Sequence, residues 1–198
     1  MKFYYYLDNS AGWASISFEH DNFKRKYFIE YCIGDNLFEL LGGILALIGY
    51  RKESKLGSDI EVRFMDNDED VFEWVTSQGN FEAKFAFKFV DDNNIDLKIT
   101  EITKTNDNDE IEKVFDNAIN KSLLIDNLLA SCEEILDKYG ILGYYQNFWV
   151  EFPTFYYLLL KDYKNGKLKI DDFKETIDGH EETMFRSNLE DELAYLKR

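Results

Sequence analysis

The chain has 198 residues, 45% of them apolar and 17% aromatic, and a formal net charge of −16. That apolar content excludes a disordered chain, and the length suffices for one core without staples. The charge opposes binding to polyanions such as DNA or an acidic membrane surface, and it attracts basic proteins. The one compact basic run, Lys24-Arg25-Lys26, reads as a turn or strand start.

In chain order, Phe3–Leu7 alternates as a first strand and DNSAG follows as turn chemistry. Trp13–Phe18 is a second strand, with Ala14, Ile16 and Phe18 on one face and Trp13, Ser15 and Ser17 on the other. Lys26–Ile33 is a third strand, directing Tyr27, Ile29, Tyr31 and Ile33 inward. Gly34 breaks it and Asp35 can cap the helix DNLFELLGGILALIGY, whose carboxylate would accept from first-turn amides. That helix is apolar around most of its circumference, with Glu39 its only charge, so it is expected to be buried against the sheet. Gly42 and Gly43 each weaken it by roughly 1 kcal/mol relative to Ala, a cost tolerated where another part of the chain approaches closely. At this length and with polar ends it is no membrane span.

After the loop RKESKLGSD, strands resume with Ile60–Phe64, then Val71–Val75, Phe81–Val90 and Ile95–Ile99. Phe81, Ala83, Phe85, Phe87 and Phe89 point one way, while Glu82, Lys84 and Lys88 point the other. Such alternation marks a sheet with one core face and one wet face. From Asp107 the period shifts toward 3.6, through Ile111, Phe115, Ala118, Ile125, Leu129, Cys132, Leu136 and Tyr139. The reading is one long helix or two in line, ending near Lys138 and Gly140; over Asp107–Asn120 a strand competes. Pro153 opens a further helix over Thr154–Lys164, closed by Asn165-Gly166. Gly166–Arg186 carries no clear period, and Ser187-x-x-Glu190 is a capping box before a stripe of Leu189, Leu193 and Leu196.

The expectation is a single α+β domain over residues 1–198: an antiparallel twisted sheet of about six to seven strands packed on a central apolar helix at 35–49. A C-terminal portion over 105–198 is expected to be mostly helical. Cys32 and Cys132 are too few and too far apart for a disulfide framework, and MKFYYYLDNS lacks the features of a signal peptide; both favour a cytoplasmic location.

Catalytic chemistry is hard to assemble from this sequence. His20 and His180 lie outside any nucleophile signature, and Gly42-Gly43 lacks the Lys-Ser/Thr of a phosphate loop. Two distant Cys and two distant His give no zinc spacing. The acidic run Asp66, Asp68, Glu69, Asp70 fails the EF-hand pattern, since Val71 stands where the turn Gly belongs and Ser77 where the bidentate Glu belongs. Asp91-Asp92 and Asp171-Asp172 are adjacent loop acids, which do not form the two flanks of a cleft. No enzyme activity, cofactor or metal is expected. Tyr4, Tyr6 and Trp13 on outward strand faces, and Tyr144, Tyr145, Phe148 and Trp149 in one connection, read first as a second packed layer. For Trp13 and Trp149 the competing reading is an acid-rimmed interface anchor.

The strands leading into DNLFELLGGILALIGY, the pair VFEWV and FEAKFAFKF, and FWVEFPTF before a helix together resemble a broad group of small acidic bacterial proteins. That group includes the immunity proteins of polymorphic-toxin and contact-dependent inhibition systems. The resemblance spans most of the chain as a pattern and carries over no binding residue. It implies a non-enzymatic cytoplasmic protein that binds and neutralises one cognate toxin, a basic nuclease being the partner the charge suits best. Partner contacts are then expected at Asp66, Asp68, Glu69, Asp70, Asp91 and Asp92, with Trp13 and Trp149 as anchors. The alternatives are a homo-oligomeric interaction module and a hydrolase using loop carboxylates such as Asp91 or Asp171.

Overall fold

A computed structural model describes residues 1–8, 12–30, 36–49, 71–106, 108–166, 170–177 and 180–196; over 170–177 and 180–186 only the backbone is considered. The first sheet is antiparallel in the order β1 (Lys2–Leu7), β2 (Ala14–His20), β3 (Phe23–Ile29). Alternation decides its faces: Phe3, Tyr5, Leu7, Ile16, Phe18, Tyr27 and Ile29 are buried, whereas Tyr4 and Tyr6 stand on the outer side. The expected third-strand residues Tyr31 and Ile33, with Cys32 and the Asp35 cap, lie outside the described residues, as do Ile60–Phe64 and the acids Asp66, Asp68, Glu69 and Asp70.

Helix α1 (Asn36–Leu47) is buried nearly all round, with Glu39 its one exposed side chain. It lies on the strand Val71–Gln78, where the indole N–H of Trp74 donates to the Asn36 carbonyl at 3.0 Å. Gly43 faces the ring of Phe72: a Cβ there would stand 2.1 Å from two ring carbons. The close approach anticipated at the paired glycines is therefore made by an aromatic side chain.

The second sheet runs β4 (Val71–Gln78), β5 (Phe81–Phe89), β6 (Asn94–Thr103), β7 (Glu110–Asn120), again antiparallel. Strand β7 corrects the helical reading of Asp107–Asn120. Phe115 and Ile119 are its buried residues, and a spacing of four keeps one face in either geometry. The open edge of β6 selects the strand, because its backbone groups need partners. Opposite Ile99/Thr100 the register shifts, leaving Val114 as an extra residue between Phe115 and Lys113.

The class is α+β, but the first seven strands among the described residues form two sheets of three and four instead of one. Glu30 N–H donates to the Ser77 carbonyl at 3.2 Å, joining the end of β3 to β4. The inner faces then meet ring to ring: Phe3 lies 6.2 Å from Phe85 and 6.0 Å from Phe87, and Phe18 lies 4.9 Å from Phe115. Two packed layers bury both aromatic faces, which one open twisted sheet with a single covering helix would not.

Helix α2 (Lys121–Phe148) begins where Asn120 caps it, its side chain accepting from Leu123 N–H at 2.9 Å. The helix covers the edge of β1, where Ser131 Oγ accepts from the Tyr5 N–H at 3.0 Å. The expected stop at Gly140 is a break inside α2, at φ 65° and ψ 176°, after which the helix resumes. Helix α3 (Thr154–Asn165) follows Pro153 and ends at Gly166 in the left-handed region. Over 105–198 the chain is less helical than expected, because β7 and a hairpin of β8 (Ile170–Ile177) and β9 (His180–Ser187) fall within it. Helix α4 (Leu189–Leu196) is capped by Asn188, whose side chain accepts from Glu190 N–H at 2.8 Å, one residue beyond the predicted Ser187. Of its expected stripe only Leu196 packs on the core; Leu189 and Leu193 are exposed. The Lys161 ammonium ties three helices together, donating to the Tyr195 carbonyl and the Tyr157 hydroxyl, both at 2.8 Å, and pairing with Glu133 at 3.0 Å.

Candidate functional site

Two surfaces gather side chains that the core does not require. The first lies beyond the Gly140 break. In the resumed helix Tyr144 and Phe148 turn inward and are buried, so Leu142, Tyr145 and Trp149, spaced i, i+3 and i+7, share the opposite face. Leu142 is 81% exposed and Trp149 69%, with Tyr145, Ile141 and, at the start of α3, Phe155 also exposed. Trp149 closes the helix at φ 58°, with its N–H on the Tyr145 carbonyl at 2.7 Å. The left-handed region costs a bulky residue about 1 kcal/mol or more. Exposed Glu151 lies two residues further on. The interface reading of Trp149 thus acquires two neighbours: Leu142, which sequence reasoning passed over, and Tyr145, which it read first as packed; the signal for both was the phase of the helix after Gly140.

The other predicted contact residues fall elsewhere. Trp13 is half-buried at the β1–β2 hairpin, its carbonyl accepting from Asp8 N–H at 3.0 Å. Asp91 is committed to its own turn: its Oδ1 accepts from Asn93 N–H at 2.7 Å and Asn94 N–H at 2.9 Å, and the Asn94 side chain also donates to it. The Asn93 backbone bond first, then the Asn94 side chain, hold this carboxyl below the usual aspartate range. Asp92 is exposed beside it, and Asp66, Asp68, Glu69 and Asp70 lie outside the described residues.

The second surface is a groove of about 480 Å³ between β1 and α2. Register places Tyr4 opposite Ser17 and Tyr6 opposite Ser15, so large rings of β1 border small side chains of β2. Ser131, Glu134, Ile135 and Lys138 form the other wall, one face of α2 at helical spacing. Three of the four tyrosines that line the groove carry a cation: Lys2 lies 5.7 Å from the Tyr4 centroid, Lys26 5.0 Å from Tyr6, and Lys138 4.9 Å from Tyr139. Both groove carboxylates hold donors. Asp8 accepts from Ser15 Oγ–H at 2.5 Å and from Lys26 at 3.4 Å, and Glu134 accepts from the Tyr4 hydroxyl. The outward placing of Tyr4 and Tyr6 was legible in the sequence; the helical wall was not, because β1 and α2 are far apart along the chain.

Among the described residues no group of three or more His, Cys, Asp or Glu is placed to hold a metal ion, and no helix is long and apolar enough to cross a membrane. His20 Nδ1 lies 3.3 Å from an Asp21 carboxylate oxygen at the β2–β3 turn. Cys132 is buried, and burial pushes its thiol well above the ordinary range, so it is a poor nucleophile. No protein-family model matches the chain, and no curated protein or solved structure does.

Proposed function

We propose that this chain is a cytoplasmic binding protein, not an enzyme, that captures and neutralises a cognate basic bacterial toxin. The observation that carries the reading is the Leu142–Tyr145–Trp149 face, an exposed aromatic and aliphatic cluster on a chain of net charge −16. Large amphipathic rings at a protein surface are the usual interface anchors, and the surrounding charge selects what docks on them. Two copies of so acidic a chain repel each other, whereas a basic partner is steered in and held by the same field. A second copy is therefore the less favoured occupant.

Affinity capture at low and then high salt, followed by co-expression, tests this reading. The retained partner should be basic and toxic when expressed alone, and harmless when this chain is present. Trp149→Ala should weaken the complex by at least about 30-fold, the size of an interface hot spot. Reversing charge at Asp92, or at Asp66, Asp68, Glu69 and Asp70, should slow association and flatten its salt dependence. A Trp149→Ala protein that binds and protects as well as the parent would defeat the assignment, as would a parent chain that self-associates.

A further inference from the structure

We propose that the groove between β1 and α2 binds a small anion carrying a planar ring, of the size and chemistry of a nucleoside monophosphate. This inference is independent of the toxin-binding reading. The volume, about 480 Å³, falls within the range of small-molecule sites. The rings of Tyr4 and Tyr6 stand 6.4 Å apart at an interplanar angle of 35°, on a strand face where the core does not need them. A planar ring stacks on such faces with little dependence on its identity.

The charge of the ligand follows from what the groove has already satisfied. Asp8 and Glu134 hold donors from within the chain, as described above. Lys2 and Lys138 are both exposed, and among the described residues neither has a carboxylate within 4 Å. Each lies over a tyrosine, on β1 and on α2 respectively, so the ammonium groups border the groove from both walls. With Asp8 matched by Lys26, the remaining charges are Lys2 and Lys138 against Glu134, which leaves one positive charge in excess beside the aromatic faces and suits an anionic ring. The net charge of the whole chain opposes an anion at long range, but at physiological salt fields are screened over roughly 8 Å, so the nearest groups decide.

Titration of the full chain with uridine monophosphate, uridine and inorganic phosphate, followed by calorimetry and by amide NMR shifts, tests the assignment. Uridine monophosphate should saturate at millimolar concentration or below, moving amides of β1 and of α2 around Ser131–Tyr139. Lys2→Gln and Lys138→Gln should each weaken it about tenfold, and leave weak uridine binding unchanged. Tyr6→Ser should weaken nucleotide and nucleoside alike. Both lysines are exposed, so unchanged melting temperatures would show that their variants fold. Failure to saturate, indifference to both lysine changes, or phosphate or uridine binding as tightly as the nucleotide would each overturn the proposal.

Discussion

Replacing Gly43 with alanine sets two effects of opposite sign against each other. In an exposed helix the exchange stabilises by about 1 kcal/mol, because glycine loses more backbone entropy on folding. Here the added methyl would stand 2.1 Å from Phe72 Cε2 and Cζ and 2.4 Å from Cδ2. Ordinary contact, at about 3.5–4.0 Å between carbons, needs the ring edge to retreat by roughly 1.5 Å. Phe72 has no free space to retreat into: it is 2% exposed, and stacks on Phe87 at 5.8 Å and 16°. Overpacking costs about 1–3 kcal/mol, and a displacement this large with no free space belongs to the upper half, about 2–3 kcal/mol; set against the gain of about 1 kcal/mol, the net expectation is a loss of about 1–2 kcal/mol. For a chain of this length that corresponds to a melting temperature lower by about 2–8 °C. Denaturant melts of the parent, Gly43→Ala, Phe72→Leu and the double variant form the assay. The double variant should be more stable than the sum of the singles predicts, because the smaller side chain makes room for the methyl. A Gly43→Ala protein as stable as the parent, or strict additivity in the cycle, would refute the argument.

Gly143, by contrast, has only the Tyr139 Cβ near its added carbon, at 3.6 Å, so Gly143→Ala should stabilise by about 0.5–1 kcal/mol in the same melts. Gly140→Ala should destabilise by about 1–3 kcal/mol although nothing crowds it, since φ 65° with ψ 176° is a glycine conformation; circular dichroism and melting would report it. The Asp91 carboxyl is held below the usual range, so its contribution to stability is in place above the ordinary aspartate pKa and is lost as pH falls through its own lower value. The gap in melting temperature between the parent and Asp91→Ala should therefore narrow in acid. In a Cys32→Ser background, Cys132 should resist thiol reagents while folded and react on unfolding, in line with its burial and raised pKa.

The strands around Ala83, Phe85 and Phe87 and around Ile95, Leu97 and Ile99, and the buried helix Asn36–Leu47, were legible in the sequence alone. In the strands a long run alternates at a period that only an extended backbone places on a single face, and the helix is apolar on nearly every side over a run too long for one buried strand. Elsewhere the pattern was degenerate and tertiary contact decided. Phe115 and Ile119 face the core equally well from a strand or a helix, and β6 settles the matter by pairing with every turn of that segment's backbone it can reach. At the last helix both Ser187 and Asn188 could cap; the Asn188 side chain reaches the Glu190 N–H, moving the start by one residue. The division of seven strands into two layers is likewise not a local property, because Phe3 meets Phe85 and Phe87 only once residues some eighty positions apart have come together. Both candidate surfaces belong to this second kind. Residue type favours burial for Leu142 and Trp149, and only the phase of the helix after Gly140 leaves them in water. Tyr4 borders a groove only because α2 docks along the edge of β1, a contact between segments that share no local sequence signal.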